Sequence, residues 1–198
     1  MIYLVSASPR RRELLRQIGI PFETLLLRSS SERGADVDET PVPGEPVEDY
    51  VRRIATLKAQ VGWRCAGERR LPAHPVLAAD TAVSLDNEII GKPNSLDAVP
   101  KLLERLSGRA HDVYTAVACI HKEKLEVEVS RTTVEFCSLS ERDIRDYVLS
   151  GESMDKAGGY AIQGKAARFI VRIEGSYSGV MGLPLFETSR LLGKFADE

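Results

Sequence analysis

Three consecutive arginines, Arg10, Arg11 and Arg12, stand directly behind the stretch "SASP" near the start of the chain. The proline and the serine before it are a helix-start signal, with Ser8 at the cap position and Pro9 as the first helical residue. A helix N-terminus already carries about half a positive charge from its aligned peptide dipoles. Guanidinium groups placed there are therefore unfavourable unless an anion arrives. Free backbone N–H groups, the Ser6 and Ser8 hydroxyls and the forks of Arg10 and Arg11 together make an anion pocket, for which phosphate is the natural occupant. The plainer alternative is a solvated helix end neutralised by acidic neighbours such as Glu13.

Asp80 interrupts the apolar run "VLAADTAV". A carboxylate there is costly to bury unless it is paired or used. Placed at the end of a strand, it would point into a cleft and bind a metal or accept a proton from water. A strand-end aspartate that merely caps a turn has the same local sequence. Lys58, in "RRIATLKA", and Lys92, in "IIGKP", carry little weight singly, since isolated lysines are usually solvated. Asp38 and Glu39 are adjacent carboxylates in a polar loop, compatible with a hard cation such as Mg²⁺ or with mere solubility. The segment "GESMDKAGGYAIQG" holds paired glycines, the Asp155–Lys156 pair and Gln163 between small or apolar residues. Either the backbone closely approaches a ligand there, or the glycines serve a hairpin turn. Gln163 presents both a donor and an acceptor, which suits a base edge. His74, His111 and His121 show no metal-like spacing, and Cys119 and Cys137 could meet across a strand pair.

The elements that must position these groups follow from periodicity. Residues 2–7 suit a buried strand, and a helix with Leu14, Leu15 and Ile18 on its apolar face ends at Gly19. "PFETLLL" is a second strand, residues 28–46 form a loop, and a helix runs from Val47 to about Trp63. "PVLAADTAVSLD" is a strand, "DNEIIGKP" a turn into a short strand, and residues 96–106 a helix that starts late because of Pro100. "HDVYTAVACIH" and "LEVEVSRTTVEFCSL" pair as antiparallel strands around "KEK". Ser140 and Asp143 form a capping box for a helix closed by Gly151. The strand "ARFIVRIEG" and a helix around "FETSRLLGKF" complete the chain. Alternating helices and strands with one antiparallel pair predict an α/β fold with a mixed sheet.

The bulk numbers bound the function. The chain has 198 residues and a formal net charge of −2, which leaves no global basic field for nucleic acid. No run approaches membrane-spanning length. The cysteines, odd in number and widely spaced, read as reduced thiols in a cytoplasmic protein.

Taken in order, "SASPRRRELL", "VEDYVRRIATLKA", "AADTAV", "GKP", "LSGRAHDVYTAV", "SGESMDKAGGYAIQG" and "GSYSGVMGLPLFET" resemble the Maf family of nucleotide pyrophosphatases, the septum formation inhibitor Maf proteins. The pieces run from residue 6 to residue 188, nearly the whole chain. The resemblance implies a single domain over residues 1–198, with two lobes around a cleft and a fold related to the inosine triphosphatases. It implies hydrolysis of a nucleoside triphosphate to the monophosphate and pyrophosphate with a divalent cation (Mg²⁺, Mn²⁺ or Co²⁺), and commonly a homodimer. On this likeness Asp80 is the proton acceptor and Lys58 and Lys92 bind phosphate. Asp38 and Glu39 are the family's acidic loop pair and, with Asp80, the expected metal ligands. Arg10, Thr81 and Gln163 match the members that prefer dTTP and UTP. Members of the 7-methyl-GTP type carry "SPWRR" at the first position instead. The competing expectations are a pyrophosphatase for purine or modified nucleotides, and a nucleotide-binding regulator of septum formation.

Overall fold

The run Ile2–Val5 forms strand β1, buried at every residue, and Ser8–Pro9 starts helix α1 (Pro9–Gln17). Gly19, at φ 69°, ends that helix. The computed structural model describes residues 1–28, 35–154 and 156–196. The remaining elements are β2 (Phe22–Thr24), α2 (Val47–Glu68), β3 (Val76–Leu85), β4 (Glu88–Ile90), α3 (Val99–Leu106), β5 (Ala110–His121), β6 (Lys124–Phe136), α4 (Glu141–Leu149), β7 (Ile170–Glu174), α5 (Tyr177–Met181) and α6 (Leu185–Gly193). Helix α2 outruns the expected end at Trp63, and α5 was not anticipated. Pro100 lies in the first turn of α3, and the Ser140–Asp143 capping box forms with both of its bonds.

One mixed sheet of seven strands runs in the order β2-β1-β3-β5-β6-β7, with β4 attached to β3. Strand β1 is parallel to β2 and β3, and all other pairings are antiparallel. Strand β3 is the keystone. Strand β5 covers one of its edges from Val76 to Ser84, but the other edge is shared. There β1 stops at the pair Val5↔Ala78, and β4 begins only at Val83↔Ile90. Among the described residues, residues 79–82 of β3 thus have no strand partner on that side. Asp80 is central in a ten-residue strand, not at a strand end as expected. It reaches a cleft because the neighbouring strand ends, not because its own does.

Alternation along β3 sorts its side chains onto two faces. Val76, Ala78 and Ala82 pack under Val51, Ile54, Ala55 and Ala59 of α2. The approach is close: a Cβ on Gly62 would lie 2.4 Å from Val5 Cγ2. On the opposite face, Leu77 and Ala79 join Leu14, Leu15 and Leu191 of α1 and α6. Farther along that face, Val83 and Leu85 join Leu103, Ile144 and Phe136 in a separate cluster with α3 and α4. Thr81 marks the seam between the two clusters, and Thr115 is its direct partner on β5. Cys119 pairs with Leu77 and Glu126, so it does not face Cys137, and no disulfide joins the cysteines among the described residues. Among the described residues, no helix is long and apolar enough to cross a membrane.

Candidate active site

The gap beside residues 79–82 of β3 opens into a cleft of about 1410 Å³. Its basic side is lined by Ser6–Arg11, Lys58 and Lys92, and its apolar side by Val83, Val113, Ile162 and Met181. Asp80 and Thr81 lie between them, with Glu39 at the rim.

Asp80 Oδ1 accepts from Lys58 Nζ at 2.7 Å, and the same ammonium lies 2.8 Å from Glu39 Oε1. The Asp80 and Lys58 side chains are 9% and 16% exposed, so this pair lies largely out of water. Lys58 is there for a reason visible on the α2 helical wheel. It follows Ile54 by four residues and precedes Gly62 by four, and both are buried. A lysine on a helix's buried stripe must find an anion; the stripe is a signal the sequence carries, although it is the family resemblance alone that marks out Lys58. Burial raises the Glu39 carboxyl's pKa, but Lys58, Lys92 and Arg11 outweigh it and hold Glu39 below the usual carboxylate range. The Tyr50 hydroxyl donates to the Glu39 carbonyl at 2.9 Å, tying the acidic loop to α2.

Asp38 is not brought to this point. Its Oδ1 accepts the Thr40 N–H at 2.9 Å, a local loop contact. Asp38 lines the same cleft as Glu39, but only Glu39 reaches the Lys58 ammonium in an ion pair. Among the described residues, no group of three or more potential metal ligands gathers in one place. The gathered carboxylates are Glu39 and Asp80.

Arg11 is engaged in a way that the sequence did not announce. Its Nε donates to Gly182 O at 2.6 Å, Nη1 to Ala79 O at 2.7 Å, and Nη2 to Thr81 Oγ1 at 3.0 Å. The guanidinium fills the missing stretch of β3's edge and ties α1 to the turn after α5. Burial lowers its pKa, partly offset by the Asp80 charge. Three of its five donors are thereby spent on protein. Arg10 lines the cleft with its pKa lowered by partial burial, and Arg12 donates to Ala7 O at 3.2 Å. Ser8 holds the cap position, yet its side chain makes no cap bond, and the first turn of α1 has no acidic residue. Both features leave the N-terminal end of α1 open to an anion.

Lys92 is exposed at the mouth, and Lys156 Nζ donates to Met154 O at 3.2 Å on the facing segment. Asp155 lies outside the described residues. Gln163 is exposed along the cleft. The glycine-rich segment approaches protein at Gly158, where a Cβ would sit 3.0 Å from Val83 Cγ2 with φ at 69°. The ligand approach expected there is thus a packing contact at that residue. His111, missed as a working residue, is buried on β5, and its Nε2 lies 2.8 Å from the hydroxyl of Tyr160 on this same segment. Burial pushes its imidazole down to about 4, although Asp112 pulls the other way. One face of β5 therefore presents His111 to one wall of the cleft, Val113 to its floor and Thr115 to the seam.

A mixed α/β sheet with a broken edge, a helix N-terminus rich in arginine and a carboxylate–lysine pair in the gap define a protein built to receive and act on a polyanion. Residues 1–195 match the family described as Maf-like protein, and the chain belongs to the Maf family. Curated relatives agree with that membership. A "dTTP/UTP pyrophosphatase" of Aromatoleum aromaticum is 56% identical over 98% of this chain and 95% of its own length. One of the same name from Nitrosomonas europaea is 55% identical over 96% and 92%. Another, from Chromobacterium violaceum, is 49% identical over 100% and 96%. Among solved structures, the Staphylococcus aureus Ham1 protein shows 18% identity and a TM-score of 0.46, over 68% of this chain and 71% of that one.

Proposed function

We propose that this chain is a nucleoside triphosphate pyrophosphatase that hydrolyses dTTP and UTP to the monophosphate and pyrophosphate. The observation that carries it is the Lys58–Asp80 pair in the sheet gap, beside the arginine-rich helix end, in a chain about half identical to enzymes so named. A pure binding protein has no need of a carboxylate beside a polyanion.

A triphosphate would lie with its phosphates along Ser8, Arg10, Lys58 and Lys92, with the remaining donors of Arg11 behind them. Asp80 would accept a proton from water as the water oxygen attacks the α-phosphorus. The bond from that phosphorus to the bridging oxygen then breaks, and its electron pair leaves with pyrophosphate. Lysine and arginine charges fixed around the phosphates stabilise the charge that builds on their oxygens. Glu39 and Asp80 fit a hard divalent cation, because their carboxylates converge on one cationic point, here the Lys58 ammonium. Such an ion would be held by these two carboxylates together with substrate oxygens, and would supply Lewis-acid neutralisation of phosphate charge. The base would lie against the apolar side of the cleft, where Gln163 can pair with a donor and an acceptor at once. On the family resemblance, the enzyme is read as a cytoplasmic homodimer.

The test is pyrophosphate release from a panel of common and modified nucleoside triphosphates with Mg²⁺, Mn²⁺ or Co²⁺. dTTP and UTP should lead, CTP should be weaker, and ATP and GTP should be poor. ATP or 7-methyl-GTP as best substrate would overturn the base assignment. No pyrophosphate from any of them would overturn the function.

A further inference from the structure

Gln163 stands on an irregular segment between α4 and β7, outside every strand pairing among the described residues. Single bonds to other parts of the protein hold that segment instead. The Gly158 N–H donates to Gly91 O at 3.2 Å, beside Lys92, and the Tyr160 hydroxyl meets His111. Past Gln163, the Lys165 N–H donates to Glu152 Oε2 at 2.8 Å, a contact across 13 positions. Between these anchors the Gly164 N–H donates to Ala161 O at 3.0 Å, a tight turn with Gln163 inside it. We propose that Glu152 is a positioning residue: its carboxylate closes the segment into a loop and so fixes the turn that offers Gln163 to the substrate. The proposal rests on the reading of the cleft as a pyrimidine triphosphate site.

Gly164 shows how close this contact is. Its φ of −103° is open to any residue, so backbone strain does not call for glycine there. Space does, because a Cβ would overlap Glu152 Oε2 and lie 3.0 Å from Glu152 Cδ. The carboxylate therefore rests directly on the backbone that follows Gln163. A charged acceptor on a backbone N–H makes a stronger bond than a neutral one.

Glu152 is half-buried behind the wall, whereas Ile162 and Gln163 line the cleft itself. It can reach a substrate only through the segment it ties. With that tie cut, the turn samples other positions, and a ligand must reorder it on binding. A cost borne equally by the ground state and the transition state raises KM and leaves kcat alone.

Steady-state UTP hydrolysis and calorimetric UMP binding test this in parallel. Glu152→Ala should raise KM and weaken UMP binding about tenfold, the scale of one charge-assisted bond, with kcat within about twofold of wild type. Glu152→Gln keeps an acceptor oxygen at the same reach and should recover most of the loss. Gly164→Ala leaves Glu152 in the chain but drives its carboxylate off the Lys165 N–H, so it should reproduce Glu152→Ala. In a Gln163→Ala background, Glu152→Ala should add nothing further, since the group it positions is gone. A Glu152→Ala enzyme with wild-type KM and UMP affinity overturns the proposal, as does a loss confined to kcat or full additivity with Gln163→Ala. Should Glu152→Ala not fold, an unchanged KM in Gly164→Ala is equally fatal. A wild type that binds UMP without hydrolysing UTP sinks the pyrophosphatase reading, and the UMP affinities alone then decide the role of Glu152. A wild type that does neither overturns both.

Discussion

Lys58 divides one ammonium between two carboxylates, and that division sets what each can do. Asp80 is enclosed and has a single strong partner, whereas Glu39 is half exposed on a loop. Asp80→Asn keeps the shape and loses the charge needed to take a proton. Pyrophosphate release should fall by at least about 10²-fold, with circular dichroism unchanged. Lys58→Met acts differently, since it leaves a buried carboxylate without a partner. Breaking a buried pair from one side costs about 3 kcal/mol, read as a lower urea midpoint. The double variant Lys58→Met/Asp80→Asn should recover part of that loss, because the amide needs no counter-charge. A double variant as unstable as the sum of the singles would mean that the two side chains do not interact.

Two strands and one irregular segment build the wall opposite the phosphate side. Gly158 sits against Val83 of β3, and Tyr160 leans on His111 of β5. Gly158→Ala adds a methyl at a position of positive φ in contact with Val83. It should destabilise by about 1–3 kcal/mol and lower activity by displacing Gln163. His111 makes the wall sensitive to acid. Its imidazole is pushed down from 6.5 to about 4 by burial, so the unfolded chain takes up a proton before the folded one does. The stability it contributes is complete above about pH 6.5 and is lost as the pH falls towards 4, in total on the order of 3 kcal/mol. His111→Gln should flatten the fall in melting temperature between pH 7 and pH 4.5. An equally steep fall in the variant would show that other groups govern acid unfolding.

Across the whole molecule, the sheet is complete on one side of β3 and interrupted on the other, and Arg11 spans the interruption. One side chain thereby joins α1, β3 and the turn after α5. A lysine cannot replace it, since a single ammonium cannot reach three diverging acceptors as a planar fork does. Arg11→Lys should cost about 2–3 kcal/mol in urea unfolding, because buried carbonyls lose their donors. Its activity should fall more than Arg10→Lys, where the guanidinium only lines the cleft. Equal stability of wild type and Arg11→Lys would show that the gap closes without it.

Local sequence determined what local physics decides. Pro9 started α1, Ser140–Asp143 started α4, and the apolar run from Val76 onward made β3, because proline, caps and local hydrophobicity act within a few residues. Residue type also marked Asp80 and the arginines as chemistry-bearing, since charge within an apolar run or at a positive dipole demands a partner. Which partner each would find was not local. Asp80 meets Lys58 across 22 positions, Arg11 meets Gly182 across 171, and Thr115 meets Gly179 across 64. Asp38 and Glu39 look alike in the sequence, yet one turns to its own loop and the other to Lys58. Such choices depend on where β1 ends beside β3 and on how closely α2 packs over both. That register is settled only when the whole sheet buries its apolar faces together.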